Sequence, residues 1–126
     1  MPRSKLELAR EQLARAQVAA TDPVDWSDLC IYGFHSVENA VVAAADHLGI
    51  PSVRNHPSKV EVARDLSTTH GLPDVAGLLL DLNSLRKSEA YGEVPPSVRR
   101  SAEDIVIEVE TFVDEVGALI DGTPGS

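Results

Sequence analysis

His35-Ser36-Val37-Glu38-Asn39-Ala40-Val41-Val42-Ala43-Ala44-Ala45 is the stretch on which the fold turns. Val37 and the run Ala40 to Ala45 leave almost no polar side over two helical turns, and nothing in the spacing alternates as a half-buried strand would. A helix that is apolar nearly all round must be packed by neighbours on several sides, so this segment reads as the centre of a bundle. Asp22 is the expected N-cap, with Pro23 at the first helical position, and the helix should run through Leu48 until Gly49-Ile50-Pro51 stops it.

Outward from that core, Leu6, Ala9, Leu13, Ala16 and Ala20 recur at spacings of three and four, predicting a helix from about Ser4 to Ala20 that Thr21-Asp22-Pro23 breaks. Asn55-His56-Pro57-Ser58 starts a third helix, with Val62, Ala63 and Leu66 facing inward until Gly71. Leu72-Pro73-Asp74 opens a fourth, whose buried stripe is Val75, Leu78, Leu79, Leu82 and Leu85 and whose end is marked by Gly92 and Pro95-Pro96. The fifth has the cleanest period: Val98, Ala102, Ile105, Val109, Phe112, Val116 and Leu119, widened by Val106, Val113 and Ile120 enough to pack within the bundle or against a second copy. Trp26 and Phe34 read as core aromatics. The expected architecture is all-α, an antiparallel bundle of about five helices forming one domain over 1–121, with 122–126 as a flexible tail.

A formal net charge of −9 on 126 residues argues against broad attraction to nucleic acid or to an anionic membrane surface. The charges are segregated, however. No Lys or Arg lies between Arg15 and Arg54 and none follows Arg100, while the last helix carries Glu103, Asp104, Glu108, Glu110, Asp114, Glu115 and Asp121. A local basic site in the middle of an acidic body is compatible with that pattern. Cys30 is alone within an apolar stretch, the usual setting of a small buried thiol, and a reduced, cytoplasmic compartment is expected. There is no apolar run of membrane-spanning length, and the N-terminus leads directly into an amphipathic pattern, so a soluble protein that is not exported is expected. No glycine-rich phosphate loop, paired-cysteine pattern or Gly-x-Ser-x-Gly elbow points to a cofactor, a metal or hydrolase chemistry.

Chemistry is hinted at in Asn83-Ser84-Leu85-Arg86-Lys87-Ser88-Glu89-Ala90-Tyr91-Gly92-Glu93, where Arg86 flanks an apolar face. A charge there is costly to bury unless a partner or a ligand satisfies it. The bland expectation is an ion pair with a carboxylate of the acidic last helix. On the second helix Tyr32, His35, Glu38 and Asn39 form one stripe, in which a Glu one turn beyond a His orients its ring or the polar groups simply satisfy one another. His47, His56 and His70 fall near helix ends, where capping or exposure is expected.

Three segments together resemble the HEPN family of small helical bundle proteins: Tyr32-Gly33-Phe34-His35-Ser36-Val37-Glu38-Asn39-Ala40, His56-Pro57-Ser58-Lys59-Val60-Glu61-Val62-Ala63-Arg64-Asp65-Leu66, and Leu82-Asn83-Ser84-Leu85-Arg86-Lys87-Ser88-Glu89-Ala90-Tyr91, covering roughly residues 4 to 120 in order. The resemblance implies a bundle that commonly dimerises and, in active members, a metal-independent ribonuclease serving as a toxin or defence effector. In those members an arginine is followed a few positions later by a histidine at the same helix end. Arg86 matches the arginine, and Tyr91 stands where the histidine would be. In one toxin branch a tyrosine two positions further on is modified by a nucleotidyltransferase-like partner; Glu93 stands there.

Cleavage of RNA by its own 2′-hydroxyl needs a base to take the proton and a cation to stabilise the charge building on phosphate. A histidine titrates near ~6.5 and a tyrosine near ~10, so tyrosine is a poor base at neutral pH. Five residues along an ideal helix also turn two side chains about 140° apart, so Arg86 and Tyr91 converge only where the helix ends or across two chains. The candidate catalytic residues are therefore Arg86 and Tyr91 with His35 as the rescue, and the candidate binding residues are Asn83, Lys87, Glu38 and Lys59. The expectation is a HEPN-like protein that binds RNA, a nucleotide or a protein partner with impaired or absent nuclease activity. The alternatives are an active ribonuclease using Arg86 and Tyr91, and a structural subunit that dimerises.

Overall fold

The computed structural model describes residues 4–50, 56–91 and 101–122, with the backbone alone at 56–57 and 88–91. Five helices, Lys5–Ala19 (α1), Trp26–Leu48 (α2), His56–His70 (α3), Ala76–Tyr91 (α4) and Ala102–Asp121 (α5), form an all-α bundle with no strand among the described residues. The long α2 packs against each of the other four. That is why it has almost no polar side: Leu29, Phe34, Val37, Ala40, Val41 and Ala44 are buried against different neighbours. Two antiparallel seams flank α1. Toward α2, Ser36 donates to the Ala9 carbonyl at 2.7 Å while Arg15 lies over Tyr32. Toward α5, the Arg10 guanidinium lies at Gly117 while Gln17 Nε2 donates to Glu110 Oε2.

Reciprocal capping boxes start α1 (Ser4 with Glu7) and α5 (Ser101 with Asp104), each satisfying two otherwise orphaned N–H groups. The start of α2 departs from expectation. Asp25, not Asp22, caps it by accepting the Asp28 N–H, and Asp22-Pro23 belongs to the preceding turn, which the Asp25 N–H closes onto the Ala19 carbonyl at 2.8 Å. Trp26 is accordingly not a core residue: it sits in an exposed first turn with Ser27 and Asp28, is 39% exposed itself, and burial begins at Leu29. Phe34 is in the core as expected.

Gly71 adopts φ 70° just after α3, a left-handed conformation that costs glycine little. Asp74 accepts from the Ala76 N–H at the head of α4, so the helix proper starts beyond Leu72-Pro73-Asp74 although Leu72 and Val75 are already buried. On α5 the stripe Ala102, Ile105, Val109, Phe112, Val113 and Val116 is buried within the single chain, packed against α1 and α2, with Val106, Leu119 and Ile120 partly covered. Val98, Gly92 and Pro95-Pro96 lie outside the described residues. Cys30 is buried with a free thiol, and no described helix is long and apolar enough to cross a membrane.

Gly33 lies where α2 meets both α4 and α5. A Cβ there would stand 3.7 Å from Leu82 Cδ1 and from Ile105 Cγ2, ordinary van der Waals distances. Gly33→Ala should therefore stabilise the fold by about 0.5–1 kcal/mol through helix propensity. Gly33→Leu should destabilise it by about 1–3 kcal/mol by forcing the helices apart. Denaturant midpoints of the two variants check both signs.

Candidate functional site

Glu38 and Ser36 are the polar residues buried in the core among the described residues. Ser36 is satisfied locally through Ala9; Glu38 is placed differently. Only 9% exposed, it has two partners: its Oε1 is 3.4 Å from His35 Nδ1 one turn back on α2, and its Oε2 accepts from Lys59 Nζ of α3 at 3.3 Å. Burial pushes the Glu38 carboxyl up, but the hydrogen bond from His35 and the charge and hydrogen bond of Lys59 outweigh it and hold the group below its usual value. The His35 side chain is 45% exposed, and with Nδ1 turned to the carboxylate its Nε2 has no protein partner among the described residues.

Arg86, near the end of α4, is half-buried. Its guanidinium carbon stands 5.1 Å from the centroid of the Phe34 ring, and its Nη2 donates to Asn83 Oδ1 at 2.8 Å. Its Nε is buried with no acceptor. The expected ion pair with the acidic last helix is absent among the described residues. Glu103, Asp104, Glu108, Glu110, Asp114 and Glu115 of α5 are exposed, whereas Arg86 is drawn over the Phe34 ring of α2. Phe34 joins the two halves of the site. Its ring lies 5.5 Å from that of His35, tilted by 57°, and Glu38 is one turn further along the same face of α2.

Two sets of contacts therefore lie along α2: Arg86 with Asn83 over Phe34, and Glu38 with His35 and with Lys59 of α3, the His35 ring standing beside that of Phe34. Lys87 is exposed and joins no hydrogen bond or ion pair among the described residues. Tyr91 is the last residue of α4; its side chain lies outside the described residues, as does that of His56. His47 and His70 are exposed in last turns. The expected polar stripe of α2 divides. At about 100° per residue its four members spread over roughly 120° of the helix, and its two edges meet different neighbours. Tyr32 lies under Arg15, 5.5 Å from its guanidinium carbon, and Asn39 Nδ2 donates to Gln12 Oε1 at 2.7 Å, so these two face α1.

Phe34 as a platform for the arginine escaped the sequence, although its position four residues before Glu38 was the available signal. The sequence also did not single out a wide groove of about 630 Å³ between α1 and the start of α2, lined by Glu11, Arg15, Val18, Pro23, Asp25 and Tyr32 among others. No group of three or more His, Cys, Asp or Glu among the described residues is arranged to hold a metal ion. Comparison with known proteins finds no matching family model, no similar curated protein and no similar solved structure.

Because the folded-state value of Glu38 is lowered, its ionised form stabilises the fold above the unfolded value of ~4.3, and that contribution is lost as pH falls through the folded value. Wild type should therefore lose stability more steeply than Glu38→Gln as pH falls below about 5. Urea midpoints measured from pH 7 to pH 3 check this; parallel curves would show that Glu38 is not the group responsible.

Proposed function

We propose that this chain is a HEPN-like helical protein that binds RNA or a nucleotide through a cationic site centred on Arg86, with impaired or no nuclease activity. One observation carries the reading. In a chain with 20 acidic and 11 basic residues, the half-buried Arg86 has no carboxylate partner among the described residues and leaves a buried donor without an acceptor. A guanidinium in that state is stabilised by an arriving anion, and its planar fork suits phosphate oxygens. Lys59 and His35 share the Glu38 carboxylate, and the His35 ring stands beside the Phe34 ring on which Arg86 lies. Support for the HEPN-like part is that the three matched segments touch one another, Arg86 of α4 lying over Phe34 of α2 and Lys59 of α3 pairing with Glu38 of α2. Tyrosine at position 91 is the reason catalysis is weak or absent in this reading.

An active metal-independent ribonuclease is the second reading, and one observation favours it. Glu38 fixes His35 through Nδ1 and leaves Nε2 open, the arrangement of an oriented base that could take a 2′-hydroxyl proton while Arg86 stabilises the phosphate. A homodimer in a toxin or defence setting belongs to the same proposal, its seam lying elsewhere than the α5 stripe, which is consumed inside the chain.

Binding and cleavage of a mixed RNA in EDTA, followed for wild type, Arg86→Ala, His35→Ala and Tyr91→Phe, separate these readings. Wild type should bind without cleaving, and Arg86→Ala should weaken binding about tenfold or more, as loss of a charge-assisted hydrogen bond does. Cleavage abolished in His35→Ala would establish the second reading. Cleavage that survives in Arg86→Ala would remove Arg86 from the site, and failure of wild type to bind RNA or nucleotide would end the proposal. Light scattering at micromolar concentration should give a dimer mass; a monomer mass removes the homodimer.

A further inference from the structure

We infer that the groove between α1 and the head of α2 docks a basic amphipathic helix of a partner protein. The groove, of about 630 Å³, shares no lining residue with the Arg86 site.

Its α1 wall is a second stripe on a helix whose first stripe is already used. Leu6, Ala9, Leu13 and Ala16 are buried in the bundle. Glu11, Ala14, Arg15 and Val18 recur at spacings of three and four along the groove instead, and all four are exposed. Val18 is 72% exposed, more than any other large hydrophobic residue among the described residues. Ala14, in the middle of the stripe, has no side chain beyond Cβ, so a second helix can approach closely. Tyr32 of α2 and Pro23 of the connecting turn complete a largely apolar floor.

Charge decides what covers this floor. The groove is lined by three carboxylates, Glu11, Asp25 and Asp28, against one cation, Arg15, which leaves two negative charges in excess. Arg15 is drawn over the Tyr32 ring, 5.5 Å from its centroid, and neither Asp25 nor Asp28 forms an ion pair among the described residues. The carboxylates also stand at opposite ends. The Asp25 N–H bonds to the Ala19 carbonyl, and Glu11 lies two turns of α1 earlier, about 12 Å along the axis. A compact cation reaches only one end. A helix with lysine or arginine flanking an apolar stripe reaches both and lays that stripe on Val18 and the floor. A second copy of this chain fits badly, because a two-fold axis through the groove would bring two like sets of excess negative charge together.

The test is calorimetric titration of the full chain at low ionic strength with a synthetic helix of about three turns, leucine on one face and lysine on the other. Two control helices carry glutamate in place of lysine and alanine in place of leucine. The leucine and lysine helix should bind tenfold or more tightly than either control. Val18→Lys should weaken it tenfold or more, and Asp28→Asn about two- to fivefold, the range of an exposed ion pair, with circular dichroism unchanged. Asp65→Asn, on α3 and outside the groove, should leave the affinity as it is. Equal binding of the control helices, or a loss in Asp65→Asn equal to that in Asp28→Asn, would mean attraction to the acidic body as a whole and overturns the inference. Spermine binding as tightly as the helix overturns it too, since the site would then take a small cation. So does a dimer in light scattering that Val18→Lys converts to a monomer, which would assign the groove to a second copy. None of these outcomes bears on the RNA or nucleotide binding assigned to Arg86.

Discussion

The packing of α2 against all four other helices is the constraint on which the rest of the molecule depends. A central helix has little solvent-facing side to which its polar residues can retreat, so the polar side chains it carries inward must be met by specific groups from its neighbours. Ser36 is met by the Ala9 carbonyl and Asn39 by Gln12, both on α1. Glu38 is met by His35 and by Lys59 of α3. Apolar burial around these contacts drives collapse, while the contacts set the rotation of α2 about its own axis, since a turn in either direction would leave a buried oxygen or nitrogen unpaired.

Against that background Arg86 stands out. Ser36, Asn39 and Glu38 are each met by a protein partner, whereas among the described residues the guanidinium lies over the Phe34 ring with one amide oxygen for a partner and a donor left over. Stacking on an aromatic face recovers part of the lost hydration but provides no acceptor in the plane of the fork. The result is a cation held in place over an aromatic ring with no carboxylate partner among the described residues.

Much of the fold was legible because helical periodicity is a local property. The stripes Val75 to Leu85 and Ala102 to Val116 are buried as their spacing requires, and Gly49 and Gly71 end their helices with positive φ. The misreadings are just as physical. Asp22 followed by Pro23 has the pattern of a helix start, yet Asp25 three residues later is an equally good cap and is the one that the turn from Ala19 delivers to the head of α2. Trp26 was assigned to the core from its size, whereas its place in the first turn leaves it outside. Arg86, Asn83, His35, Glu38 and Lys59 are the sequence's candidates, but the sequence attached Tyr32 and Asn39 to the stripe of His35 and Glu38 and gave Arg86 an acidic partner on the last helix.

By itself the sequence determined five helices, the near-complete burial of the second, and the residues able to carry charge chemistry, because period, caps and breakers act within a few residues of one another. Only the tertiary structure decided which of those residues meet. The carboxylates of α5 are turned to solvent while Arg86 lies over Phe34, and the rotation of α2 sends Tyr32 and Asn39 to α1 while turning Phe34 toward Arg86 and Glu38 toward Lys59. Helix order and rotation depend on contacts between residues far apart in the chain, which no local pattern encodes.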